Sequence, residues 1–171
     1  LSNDLETQLV VPVRNLRIIV AAMVIVPLIF AGVVLVIGSQ EPQNPAPVGG
    51  QMVERRGGAT IGQLALMMGL VAIVAQQFMG RFVTKQAVQN LSTRAMGNPE
   101  RLGEAFIVGT VVSCAINEGA AFLNLIAYMS SQWYYNLGMA LLLIASNALK
   151  FPSVGKVAAW ARATTEKLQA K

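Results

Sequence analysis

One carboxyl group, Glu118, stands inside the apolar run "VVSCAINEGAAFLNLIAY" at residues 111–128, with Asn117 beside it and Ser113 a little over one turn earlier. A carboxyl group in such surroundings can take up and release a proton or hold a small cation, because a nonpolar medium favours its neutral form. Hydrogen-bond partners are available in Asn117, Ser113 and Asn124 of the same run, and in Gln63, Gln76, Asn136 and Asn147 elsewhere. The competing reading is structural: a protonated glutamate bonding one helix to another, typically worth about 1 kcal/mol in a membrane. Intramembrane acids default to function, so Glu118, Asn117 and Ser113 form the candidate ion-binding set.

Other chemistry is sparse. The chain has no histidine and one cysteine, Cys114, which reads as a small packing residue. No Cys/His/Asp cluster has metal-ligand spacing, so no metal site, no cofactor and no enzymatic activity are expected. The net charge is +5, but the basic residues flank apolar runs instead of forming a patch, and nucleic acid is not an expected partner.

The elements that would position Glu118 follow from the spacing of charge. Only 12% of the 171 residues are charged and 54% are hydrophobic, against about a quarter charged in soluble domains. Arg17 is followed by 23 uncharged residues, Arg56 by 24, and Glu104 by 45 whose one charge is Glu118. A span needs about 20 apolar residues. The predicted fold is therefore an all-α integral membrane protein with a single membrane domain of four transmembrane helices, at 18–38, 60–80, 105–129 and 133–151. The apolar core of the first is about 20 residues, beyond the roughly 7–15 of a signal sequence, so it reads as a retained helix. Pro27 is a candidate kink there.

Residues 39–58 carry three prolines and four glycines and read as a loop. Beyond Arg81 the second helix is expected to continue as far as Gly97. Asn98 then offers an N-cap, Pro99 a first helical position, and Glu100 a charge suited to the helix dipole. "SSQ" at 130–132 reads as a tight turn, and Trp133 with Tyr128, Tyr134 and Tyr135 marks a membrane interface. The tail is predicted to form an amphipathic helix on the membrane surface, with Val154, Val157, Trp160, Ala161 and Leu168 opposing Lys156, Arg162 and Lys167.

Eleven basic residues fall in the N-terminal tail, the 81–104 loop and the C-terminal tail at 152–171 with its flanking Lys150, against two in the 39–58 loop. The positive-inside rule places both termini and the 81–104 loop in the cytoplasm and the 39–58 loop outside. The expected location is the cell inner membrane, multi-pass. The expected partners are the lipid bilayer and either further copies of the chain or other membrane subunits.

A helix rises about 20 Å from Ala105 to Glu118 and about 15 Å from there to Tyr128, which puts the carboxyl group near the middle of a hydrocarbon layer of about 30 Å. No basic residue is expected at that depth, so a neutral acid is the expected state. Gly109 with Ser113, and Ala115 with Gly119, are small-xxx-small pairs suited to close helix packing. Gly69 is expected near the depth of Glu118, which would bring the second and third spans together as a close hairpin.

"NPE" at Asn98–Glu100, followed 19 residues after Pro99 by Glu118, resembles the proteolipid c subunit of rotary ATP synthases over residues 60–130. The resemblance implies a ring of hairpins, with Glu118 as a proton site and Asn98, Pro99 and Glu100 as the loop facing a stalk. Gly97 stands where that family has a loop arginine, and the first and fourth spans have no counterpart in it. "EGAAFLNLIAYM" also resembles small uncharacterised bacterial inner-membrane proteins. Two functions are thus expected of the chain. One is a proteolipid-like proton-binding subunit of an oligomeric complex. The other is a non-catalytic accessory or scaffold subunit that docks through its tail and the helix after Arg81.

Overall fold

The computed structural model describes residues 2–40, 56–91 and 99–169. They form five helices: α1 (Ser2–Gln40), α2 (Arg56–Gln89), α3 (Pro99–Ser131), α4 (Tyr134–Leu149) and α5 (Val154–Gln169). Three stretches, Leu9–Ile37, Thr60–Gln89 and Arg101–Ser131, are long and apolar enough to cross a membrane. α4 and α5 form a further apolar pair bent by 71°, giving three spans or, with that pair, four.

α3 is the central helix and touches all four others, whereas the described parts of α1 and α2 do not meet. The tightest pairing is α2 on α3. The buried line of α2 is Gly62, Ala65, Gly69, Ala72 and Gln76, alternating steps of three and four residues, so that small residues make one continuous seam. Helices in lipid gain little from apolar burial and associate by close packing. A Cβ placed on Gly80 would lie 3.3 Å from Gly109 O, and one on Gly69 would lie 2.6 Å from Met139 Cγ. At Gly109 it would collide with Thr84 Oγ1, which is held in place by donating to Gly80 O at 2.8 Å.

α1 covers another face of α3 through Leu16, Val20 and Cys114, and farther along through Phe30 edge-on to Phe122. The α3–α4 connection turns on Gln132, whose φ is 55°, the left-handed conformation that commonly ends a helix. Ser131 stabilises the turn. Its Oγ donates to Ala127 O at 2.7 Å and accepts from the Trp133 backbone N–H at 3.3 Å.

Several boundaries differ from the sequence reading. α1 starts at Ser2, well before residue 18, because its first turns have a partner: Leu9 and Val13 pack on Val157 and Ala158 of α5. α2 ends at Gln89 and not at Gly97. There Leu91 N–H bonds back to Val88 O in a tightened last turn, next to Asn90, whose side chain competes for backbone groups. α3 begins at Pro99, while Asn98 lies outside the described residues. α4 has 16 residues, shorter than the 133–151 span. The apolar face of α5 does not lie on lipid: Val157, Ala158 and Ala161 are each 1% exposed, packed on α1, α3 and Val88 of α2. Arg17 Nε donates to Pro152 O at 2.9 Å and ties the α4–α5 elbow to α1.

Candidate functional site

The polar residues of the bundle gather where α2, α3 and α4 meet, and Asn117 is their hub. Ser113 and Asn117 are four residues apart, on one face of α3. Asn147 follows the α4 buried line of Asn136, Ala140 and Leu143, and Gln76 continues the seam of α2. Asn117 Nδ2 donates to Gln76 Oε1 at 2.6 Å, to Asn147 Oδ1 at 3.0 Å and to Ser146 Oγ at 3.3 Å. Asn147 Nδ2 returns to α3 by donating to Cys114 O at 3.1 Å. Ser113 Oγ donates to Gln76 O at 3.2 Å. Gln76 Nε2 donates to Ser146 Oγ at 3.3 Å, so that each of the three helices is bonded to both of the others.

A cation enters this network from the end of the bundle at the α4–α5 elbow. Lys150, the residue after α4, donates from Nζ to Ser113 Oγ at 2.6 Å and to Gln76 Oε1. The Gln76 carbonyl oxygen thus accepts from both a lysine and an amide. Charge-assisted bonds of this kind are stronger than neutral ones and polarise the amides behind them.

Glu118 is outside the network. The exposed line of α3 runs Val108, Ala115, Gly119, Leu123 and Ile126, and it opens between α1 and α2, whose described parts do not meet. Glu118 lies partly exposed on the edge of this line, between the points where Cys114 and Phe122 contact α1. Among the described residues no hydrogen bond or ion pair reaches its carboxyl group. Of its expected partners, Asn117, Ser113, Gln76 and Asn147 bond to one another instead. Asn124 spends its Nδ2 on Ala65 O and Ala120 O, each at 2.9 Å. Gln63 is exposed on α2, and Asn136 packs near Gly62 at the opposite end.

The remaining candidate positions divide. Gly109 and Gly69 sit at close helix crossings, but Gly69 faces Asn124 and Met139, not the level of Glu118. A Cβ placed on Gly119 would meet nothing within 4 Å among the described residues. Pro99 and Glu100 open α3. The sequence reading missed Lys150 and Ser146. Both lie on the Asn147 side of α4, and the signal was the length of the lysine side chain, which can reach several ångströms back along its helix. No protein family, curated protein or solved structure matches this chain, and the site rests on its own geometry.

Proposed function

We propose that the chain is a four-span inner-membrane protein with both termini in the cytoplasm, working as one subunit of an oligomeric complex in which Glu118 is a protonatable group at the contact with a neighbouring subunit. The observation that carries this reading is the separation of Glu118 from the internal network. A carboxyl group used only to bond this chain's own helices would be expected among Gln76, Ser113 and Asn147. It lies instead on the α1 side of α3, partly exposed at the edge of the open line of Ala115 and Gly119, where a second helix could approach closely. Facing lipid, it is expected to be protonated, since its charged form is costly there.

The test is labelling with a hydrophobic carbodiimide, which reacts with a protonated carboxylic acid in an apolar setting. Modification confined to Glu118, lost in Glu118→Gln and slowed at alkaline pH, is the expected result. A Glu118 that resists labelling in membranes at every pH would remove the proton-binding role. A non-conducting accessory subunit is the second reading, favoured by the small-residue character of the same open face. It shares the contact but predicts that Glu118→Gln leaves proton movement across the assembled complex unchanged.

A further inference from the structure

The end of the bundle at the α4–α5 elbow contains a cleft of about 610 Å³, walled by α2, α3, the elbow and α5. We infer that this cleft binds an anionic phosphate group. Four basic residues line it, Arg81, Lys85, Lys150 and Lys156, and no acidic residue is among its described lining. Arg81, Lys85 and Lys156 are exposed at the rim, while Lys150 is partly buried at the floor on Gln76 and Ser113, both buried. Two of the three Lys150 ammonium hydrogens are used in those bonds, and the acceptors are neutral. Among the described residues no carboxylate forms an ion pair with any of the four.

Ordinary membrane topology requires basic residues at this end of the bundle but does not require them to converge. Arg101, which lies outside the cleft, has Glu104 at 3.6 Å. Arg81 and Lys85 are four residues apart on one face of α2, an arrangement of like charges that weakens a helix unless an anion lies between them. A partly buried lysine without a counter-charge is costly because its lost hydration is not offset, and a phosphate group relieves both. The upper wall is apolar, with Phe106 and Trp160 in ring contact at 5.3 Å, so the anion can carry a hydrocarbon portion. Basic pockets between membrane helices on the cytoplasmic side suit lipid head groups, and the same chemistry accepts a soluble phosphate. The cleft and Glu118 lie on different sides of α3, so this inference is independent of the reading of Glu118.

The test uses the full chain in phosphatidylcholine nanodiscs, with Trp133→Phe so that Trp160 is the sole tryptophan, excited selectively over the tyrosines. One arm adds phosphatidylglycerol to the bilayer, and the other adds inorganic phosphate at constant ionic strength. A saturable Trp160 response is expected in one arm: the lipid arm identifies a head group as the source, and the phosphate arm a soluble anion. Arg81→Gln/Lys85→Gln should weaken that response roughly tenfold or more, since each lost charged bond is worth about 1.5–3 kcal/mol. Arg14→Gln/Lys167→Gln removes the same charge outside the cleft and should change it by less than about twofold, as expected of distant surface charges. Native mass spectrometry of the unsubstituted chain, counting retained phosphatidylglycerol or phosphate, repeats the measurement without the Trp133 change. No saturable binding in either arm, or equal losses in the two double variants, would overturn the inference.

Discussion

Asn117 and Glu118 are consecutive on α3 and face different surroundings. The Asn117 side chain is 0% exposed and donates to α2 and α4, while Glu118 sits partly exposed between the points where Cys114 and Phe122 contact α1. One residue turns a helix by about 100°, enough to move a side chain from the junction with α2 and α4 to the partly exposed side next to α1. The polar residue that holds this bundle together is thus the amide, not the acid.

Asn117→Leu is therefore expected to be the more damaging change for the isolated chain. It deprives Gln76 and Asn147 of a buried donor, and a loss of about 1–3 kcal/mol follows from leaving such groups short. Glu118→Gln should stay within about 0.5 kcal/mol, as for surface substitutions that break no bond. Unfolding titrations of both variants in mixed micelles would show the order. A reversed order would mean that Glu118 is held by the chain itself.

Gly109 and Gly119 provide a matched pair on the same helix. Gly109→Ala drives a methyl group into Thr84 Oγ1, and toward Gly80 O at 2.8 Å, a backbone atom that cannot swing away. Overpacking of this kind costs about 1–3 kcal/mol. Gly119→Ala meets open space and should raise helix stability by up to about 1 kcal/mol. If a neighbouring subunit uses the open face, the same Gly119→Ala change, or more strongly Gly119→Leu, should shift the detergent-solubilised protein toward smaller assemblies. Light scattering of the detergent complex separates the two effects.

The long helices were legible because charge is excluded from them so completely, and the small residues of α2 already pointed to a close pairing with α3. The azimuth of α3 was not legible. Asn117 and Glu118 differ by one position, and no property of α3 alone tells which of its lines meets α2 and α4 and which is left open. That depends on the described parts of α1 and α2 staying apart, which is a property of the bundle. The setting of α5 was hidden for a related reason. An amphipathic helix shows the same pattern whether its apolar face meets lipid or protein, and its protein partner is the part of α1 before residue 18, which did not read as helix. Lys150 was counted as a topological charge when it also reaches the amide network.

The hold on α5 can be tested through its two attachments. Val157 is 1% exposed in the cluster with Leu9 and Val13, and Val157→Asp would bury an unpaired charge at a cost on the order of 3 kcal/mol or more. Opening the α5 contact avoids that cost, so the helix should detach while the rest of the bundle remains folded. Arg17→Ala, which frees only Pro152 O, should loosen α5 to a smaller degree. Amide exchange across 154–169 should rise strongly in the first variant and modestly in the second, with α3 protected in both. Unchanged exchange in Val157→Asp would place α5 elsewhere.

Lys150 separates a structural cation from one held for a ligand. When Lys150→Met removes the ammonium, Gln76 Oε1 keeps its bond from Asn117 and Ser113 Oγ still donates to Gln76 O. No buried group is left without a partner by the change, and the methionine stem can follow much of the lysine path. The expected loss of stability is therefore about 1 kcal/mol or less, in line with single polar contacts between membrane helices. A lysine that served mainly to bond the three helices would cost about 3 kcal/mol or more to remove, as when a buried charged group loses its network. Micelle unfolding of Lys150→Met decides between them. A small loss there, together with weakened phosphate binding in the nanodisc titration, would assign the charge of Lys150 to the cleft and leave the amides to hold the helices.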